Sequence, residues 1–138
     1  MNWFIWAVLS AFFAGLTAVL AKVGVEHVNS NLATAIRTVV ILIFAWSVAL
    51  FTKNQSISTI GRRTWIFLVL SGIATGLSWL CYFRALQLGE ASRVAPVDKL
   101  SVVIAIALAS LFLHEHLTWH HWFGGLLILA GAVVLASG

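Results

Sequence analysis

Charged residues are scarce in this chain, at 9% of its 138 positions, against about 25% in typical soluble domains. Hydrophobic residues make up 62% of it. A soluble domain of this length has no interior large enough to hide so much apolar surface. The composition therefore excludes a soluble globular protein and predicts an integral membrane protein.

Cysteine and acidic residues are also rare. Cys81 is the single cysteine, which excludes a disulfide within the chain. Four acidic residues leave a formal net charge of +4. In a membrane protein, basic residues beside the spans reflect topology and anionic lipid, so this charge does not indicate nucleic-acid binding.

Five long apolar stretches stand out in the remaining sequence. A helix needs about 20 predominantly apolar residues to cross a bilayer. We predict an all-α integral membrane protein of one domain, residues 1–138, with short connections and little chain outside the bilayer. The five spans are predicted at about residues 3–22, 31–52, 64–85, 92–113 and 119–136.

Several ionisable residues converge at one level of the predicted helices. If the N-terminal side of the bilayer is side A, alternate crossings place these residues near the opposite side, side B. Ionisable groups in hydrocarbon cost about 2.5–3.5 kcal/mol each on insertion scales, so they mark a functional site by default. The predicted pathway residues are Lys22, Arg37, Arg84, Asp98 and Lys99, with Trp79 and Tyr82 as aromatic walls.

This cluster is net positive, which favours a cargo with an anionic or zwitterionic group. Other interpretations remain open. Lys22 and Arg84 can extend to the interface, as terminal basic side chains often do. Arg37 and Asp98 can form a structural ion pair between the second and fourth spans.

The neighbours Asp98 and Lys99 need separate treatment. Adjacent positions on a helix diverge by about 100°, so these two side chains are not expected to face the same way. We therefore predict that Asp98 pairs with Arg37, and that Lys99 turns toward a separate surface. Pro96, just before them, predicts a mild kink in the fourth span.

Small residues recur at helical spacings that suit close helix packing. Gly72 and Gly76 form a GxxxG motif in the third span, and Gly124 and Gly131 share one face of the fifth. Packing within the monomer and contact between subunits both explain such faces. For Gly124 and Gly131 we predict a contact between two copies of the chain.

The basic residues that flank the spans give no preferred orientation. Three lie on each side, so the positive-inside rule does not choose between the two topologies. A chain with this balance is predicted to insert both ways, which would allow two copies to pair as an inverted repeat. The residues are Lys53, Arg62 and Arg63 on side A, and Lys22, Arg84 and Arg93 on side B.

A histidine-rich segment, residues 114–121, separates the last two spans. His116 and His120 have the i,i+4 spacing of zinc ligands on a helix. No cysteine or second carboxylate is close in sequence, so we predict no metal site. We predict instead a polar turn at the membrane interface, in which Thr118 caps the last helix.

The second half of the chain resembles a known family. Three segments carry the resemblance: residues 85–96 (ALQLGEASRVAP), 113–118 (LHEHLT) and 122–133 (WFGGLLILAGAV). Their order and spacing are similar to those of the EamA domain of the drug/metabolite transporter superfamily. Glu115 falls on the acidic residue of the family's Leu-Gly-Glu element, although His114 replaces the usual glycine. Lys22 and Arg37 match positions where the family often has basic residues.

The resemblance implies a particular assembly. Typical members contain two such domains in inverted orientation, whereas this chain resembles the single-domain, five-span branch. A homodimer is therefore implied. The four-span small multidrug resistance proteins pair antiparallel, and the spacing of Gly124 and Gly131 is similar to their last-helix contact. Asp98 and Lys99 depart from most EamA domains, so the substrates of better-known members do not carry over.

The leading hypothesis is a secondary transporter or exporter of a small metabolite, acting as a homodimer in the bacterial inner membrane. Its expected partners are the lipid bilayer and the cargo, with no nucleic acid. We expect no enzymatic activity and no cofactor; coupling to a proton or another ion is left open. The first alternative is a non-transporting membrane subunit or assembly partner of another complex. The second is an intramembrane enzyme that uses the histidine-rich segment.

Overall fold

The apolar stretches of the sequence form helices in the computed structural model, which describes residues 2–52 and 57–137, except for the side chain of Ser58. A short 3-10 turn, Ile57–Thr59, precedes the third long helix. No strand occurs in these ranges. The helices are α1 (Trp3–Gly24), α2 (Ser30–Thr52), α3 (Arg62–Leu88), α4 (Ala91–Asp98), α5 (Leu100–Phe112) and α6 (Trp119–Ser137).

These helices confirm the predicted five-span, all-α fold. Among the described residues, five segments are long and apolar enough to cross a membrane, and α4 with α5 counts as one span of 22 residues. The largest difference in length is α3, whose 27 residues extend beyond both predicted ends. Lys53, one of the residues used to judge orientation, lies outside the described residues.

Most large apolar side chains of these helices are exposed. Trp3 is 76% exposed and Phe51 is 91% exposed. Such surfaces are stable when lipid, rather than water, surrounds them. The chain is therefore a multi-pass membrane protein, and its outer surface contacts the bilayer.

The fourth span differs from the prediction because it is broken. Lys99 separates α4 from α5, with φ −70° and ψ −6°. An α-helical residue has ψ near about −42°, and the N–H of Lys99 instead donates to Pro96 O at 3.1 Å, as in a tighter turn. Pro96, where the sequence predicts a mild kink, lies inside α4, and the irregularity comes three residues later.

The helices divide into two compact units, and the first comprises Met1–Val23 and Leu88–Gly138. Within it, α4 and α5 both pack against α6. Gly125 and Ala132 are the buried residues of α6. They stand seven positions apart, so they lie on one face of the helix.

The second unit comprises Gly24–Gln87 and holds α2 and α3. Val25, Phe83 and Leu86 are buried apolar residues of this unit. The hydroxyls of Thr34 and Thr38 donate to backbone carbonyls four residues earlier, at 2.8 and 2.7 Å. These bonds satisfy polar groups that would otherwise be costly inside a membrane span.

The small-residue motifs do not mark close contacts within the chain. A Cβ atom built at Gly72, Gly76, Gly124 or Gly131 would meet no atom of the described residues within 4 Å. Packing within the monomer therefore does not require glycine at these positions. A role in contact between subunits stays a prediction.

Candidate functional site

The residues predicted to form the pathway are distributed over both units. Lys22, Asp98 and Lys99 belong to the first unit, and Arg37, Trp79, Tyr82 and Arg84 belong to the second. The predicted pairing of Arg37 with Asp98 joins the two units and stays a prediction.

Arg37 lies against an aromatic surface of α3. Its Cζ atom is 4.8 Å from the centroid of the Trp79 ring and 5.2 Å from that of Phe83. Trp79 and Phe83 are four residues apart, which places both rings on one face of the helix. Such cation–π contacts contribute about 0.5–2 kcal/mol each, depending on desolvation. They hold the guanidinium in place without using its N–H donors.

The N–H donors of Arg37 have no acceptor within the described part of this unit. A guanidinium carries five N–H donors in a rigid fork, which matches the oxygens of a carboxylate or a phosphate. The side chain is half-buried. Arg37 is therefore a positively charged group, positioned by aromatic rings, with spare capacity to bind an anion.

Phe83 combines packing with a contact to the charged group. It is 2% exposed, and its ring contacts the Arg37 guanidinium. Tyr82 makes an edge-to-face contact with Phe83, with ring centroids 6.4 Å apart. The i,i+4 spacing of Trp79 and Phe83 is the sequence signal that could have identified the second aromatic contact.

Arg84 binds a neighbouring side chain. Its Nη1 donates to Gln87 Oε1 at 2.7 Å. Gln87 Nε2 in turn donates to Val28 O at 2.9 Å and to Val25 O at 3.4 Å. This network fastens the connection between α1 and α2 to the end of α3. Sequence reasoning did not identify Gln87, because a polar residue at a helix end carries no distinguishing pattern.

Lys22 has a comparable contact in the first unit. Its Nζ donates to Gly89 O at 2.9 Å. Gly89 lies between α3 and α4, where backbone carbonyls have no partner inside a helix. The ammonium group thus helps to hold this connection near the end of α1.

Asp98 and Lys99 contact each other, so the prediction that they face apart was wrong. Lys99 Nζ lies 3.5 Å from Asp98 Oδ2. The prediction considered the directions of the Cβ atoms, which diverge on a helix. The flexible lysine side chain reaches back across that angle to the carboxylate of the preceding residue.

The first unit also contains an apolar cavity of about 230 Å³ between α5 and α6. Val103, Ile106, Trp122 and Leu126 are among the residues that line it, and His121 is the polar one. No lysine, arginine, aspartate or glutamate lines this cavity, so it contains none of the predicted pathway residues.

The histidine-rich segment forms a helix cap. Thr118 immediately precedes α6, and its backbone N–H donates to His121 Nδ1 at 3.1 Å. The Thr118 hydroxyl lies 2.9 Å from the same nitrogen. Thr118 therefore occupies the predicted cap position. In the part of the chain that the structure describes, no three histidine, cysteine or acidic side chains are grouped to hold a metal ion.

Comparison with known proteins identifies the class of this chain. The model of the EamA-like transporter family matches residues 1–137. The chain belongs to this family, which confirms the resemblance carried by residues 85–96, 113–118 and 122–133. It is accordingly a membrane transporter, with an EamA domain over residues 1–137.

Individual relatives are consistent with this class. The chain is 57% identical over 136 residues to an uncharacterized transporter in the cobO 3′ region of Sinorhizobium sp., a match that covers 98% of this chain and 96% of the relative. It is 28% identical over 131 residues to the uncharacterized transporter YxxF of Bacillus subtilis, covering 92% of this chain and 40% of YxxF.

A further relative has a more specific description. The chain is 30% identical over 71 residues to a probable 4-amino-4-deoxy-L-arabinose-phosphoundecaprenol flippase subunit, ArnE, of Aeromonas salmonicida. This match covers 51% of the chain and 62% of ArnE. No solved structure matches the chain significantly.

Proposed function

We propose that this protein is a secondary transporter of a small metabolite that carries an anionic or zwitterionic group. Arg37 binds the anionic part of the cargo, and Trp79 and Phe83 position its guanidinium. The activity is movement of the cargo across the bacterial inner membrane, without chemical conversion. Asp98 and Lys99 belong to the same pathway.

The aromatic setting of Arg37 is the observation that carries this proposal. A charged side chain in a transmembrane helix is costly and normally has a protein partner or a functional role. The rings at 4.8 and 5.2 Å orient the guanidinium but leave its hydrogen-bond donors free for a ligand. An incoming carboxylate or phosphate can accept two parallel hydrogen bonds from it.

The description of ArnE supports the cargo class. The compound in its printed name carries both an amino group and a phosphate, and is therefore zwitterionic in character. The same description calls ArnE a subunit, which supports an assembly of more than one chain. For this chain we propose a homodimer of two oppositely oriented copies that together line one pathway.

The word "subunit" in the description of ArnE also suggests a second candidate function. A chain that is a subunit in a hetero-oligomer transports nothing without its partner, so a non-transporting or assembly role remains the alternative. Flux measured with the purified chain alone separates the two candidates.

The test is uptake into proteoliposomes that contain only the purified full chain. Radiolabelled monoethyl phosphate and O-phosphoethanolamine serve as an anionic and a zwitterionic probe. We expect saturable uptake of at least one probe by the wild-type chain. Arg37→Gln should reduce it about 10- to 100-fold, because a hydrogen bond to a charged group contributes about 1.5–3 kcal/mol.

Arg63→Gln provides a matched control. Arg63 also lies over an aromatic ring, with Cζ 5.9 Å from the Phe67 centroid, but it occupies the first turn of α3 and is exposed. Uptake should survive this change. Equal loss in both variants would remove Arg37 from the site, and no uptake of either probe by the wild-type chain would favour the subunit role.

A further inference from the structure

We propose that Asp98 and Lys99 form a second binding position, one that accepts only zwitterionic cargo. At this position a cargo with both charges replaces the internal ion pair. Its ammonium group binds Asp98 while its anionic group binds Lys99. This inference rests on the proposed transport function and narrows the cargo class from anionic or zwitterionic to zwitterionic.

The position lies where the fourth span is interrupted. Asp98 is the last residue of α4, and Lys99 joins it to α5. Neighbouring Cβ atoms on a helix point about 100° apart. The flexible lysine side chain nevertheless brings its ammonium group to 3.5 Å from the carboxylate of Asp98.

The internal ion pair is loosely held. Strong bonds between an ammonium and a carboxylate are about 2.7–2.9 Å long, whereas this contact is 3.5 Å. The side chains of Lys99 and Asp98 are 55% and 36% exposed. Within the described residues of this unit, neither group has another hydrogen-bond or ion-pair partner. Both therefore have capacity to exchange partners.

Charge balance determines which cargo can make the exchange. The pair lies within the span Ala91–Phe112, where an unpaired charge is unfavourable. A simple anion would pair with Lys99 but leave Asp98 alone, and a simple cation would do the reverse. A zwitterion gives each residue a new partner, so neither charge of the pair is left unpaired on binding.

This position differs from Arg37 in its selectivity. Arg37 recognises the anionic group and does not discriminate between an anion and a zwitterion. The Asp98–Lys99 pair requires the ammonium group as well. A cargo that meets both positions must therefore carry both charges.

The experiment measures binding to the purified full chain in nanodiscs, by isothermal titration calorimetry. O-phosphoethanolamine is the zwitterionic probe, and monoethyl phosphate and ethylamine are the matched single-charge probes. Measurement in the Arg37→Gln background removes anion binding at Arg37. We expect O-phosphoethanolamine to bind about tenfold more tightly than either single-charge probe, the effect of one hydrogen bond to a charged group.

Single and exchanged variants test the two charges. Asp98→Asn should abolish the preference over monoethyl phosphate, and Lys99→Met should abolish the preference over ethylamine. The double variant Asp98→Lys with Lys99→Asp should keep the preference, because a small zwitterion can bind in the reverse orientation. Preference that survives Asp98→Asn, or that is lost in the exchanged pair, would overturn the proposal.

A second measurement uses the wild-type chain. Its three lysines are Lys22, Lys53 and Lys99. Reductive methylation with ¹³C gives an NMR signal for each, and the Lys99→Met variant assigns that of Lys99. O-phosphoethanolamine should shift this signal more than ethylamine does; an unchanged signal would refute the pair as a binding position. The NMR result does not depend on whether Arg37→Gln loses transport. The proposed role of Arg37 and the proposed binding position at Asp98 and Lys99 can therefore be refuted independently.

Discussion

His114 adopts a backbone conformation that is rare for its residue type. Its φ is 54°, the one positive value among the non-glycine residues described. Side chains with a Cβ atom pay about 1–2 kcal/mol for this left-handed region. The EamA-like family usually has glycine at this position of its Leu-Gly-Glu element. The positive φ explains this preference, because glycine has no Cβ atom to clash there.

Replacing His114 by glycine should therefore stabilise the protein. We expect a gain of about 1 kcal/mol, because glycine adopts positive φ at no steric cost. The measurement is the thermal unfolding midpoint of the purified chain in detergent, which should rise.

His116→Gly is the matched control for that variant. His116 belongs to the same connection but does not have positive φ. Glycine there only adds freedom to the unfolded chain, so it should not raise the midpoint. If both variants shift the midpoint equally, the left-handed backbone at His114 is not the cause.

At the scale of elements, the end of α3 is attached to the connection that precedes α2. Gln87 makes this attachment by donating to Val28 O and Val25 O, while its own oxygen accepts from Arg84. One amide side chain thus uses both its donor and acceptor atoms. The arrangement gives Arg84 a structural contact, whether or not it also lines the pathway.

Gln87→Glu should loosen the connection between α1 and α2. The glutamate keeps an acceptor for Arg84 but has no N–H to donate to the two carbonyls. Amide hydrogen exchange over residues 25–29 should become roughly fivefold faster, which corresponds to the loss of about 1 kcal/mol of local stability.

Arg84→Met provides the comparison. It leaves the donors of Gln87 in place, so exchange over residues 25–29 should change less than in Gln87→Glu. Unchanged exchange in Gln87→Glu would show that these two bonds do not hold the connection.

At the scale of the whole molecule, the face of α6 that carries Gly124 and Gly131 is a candidate contact between two copies of the chain. A Cβ at Gly124 or Gly131 meets nothing in the described chain within 4 Å. A Cβ atom can therefore be added at either position without a clash inside the described chain. This face of α6 is the one to test for contact between chains.

Gly124→Ile with Gly131→Ile should weaken self-association in lipid bilayers. Small residues let two helices approach closely, and isoleucine prevents this approach. Energy transfer between labelled chains in liposomes, measured against the protein-to-lipid ratio, should fall. Gly72→Ile with Gly76→Ile tests the other open face and should leave the transfer unchanged.

The antiparallel arrangement requires both orientations in the membrane. Tags fused to the C-terminus, each active on one side only, should give comparable signals for the wild-type chain. A signal from one side alone would contradict the antiparallel homodimer. Association that persists in Gly124→Ile with Gly131→Ile would place the contact elsewhere.

Much of the fold could be predicted from the sequence, because the bilayer imposes simple constraints. Every backbone group must be satisfied inside the hydrocarbon, so long apolar stretches have few alternatives to helices. The family resemblance followed from the order of short segments such as residues 113–118. The less predictable features were local: the break at Lys99 does not fall at Pro96, the one proline, and the role of Gln87 depends on carbonyls 59 and 62 residues away.

By itself, the sequence determined that this is a five-span membrane protein of the EamA-like family, with basic and acidic residues inside its spans. Those features depend on composition and on local periodicity, both of which can be read directly from the order of residues. Only the tertiary structure decided which groups meet. It placed Arg37 on the rings of Trp79 and Phe83, and it brought Gln87 to the carbonyls of Val25 and Val28. Such contacts depend on how the helices and their connections pack, which hydropathy and spacing do not specify.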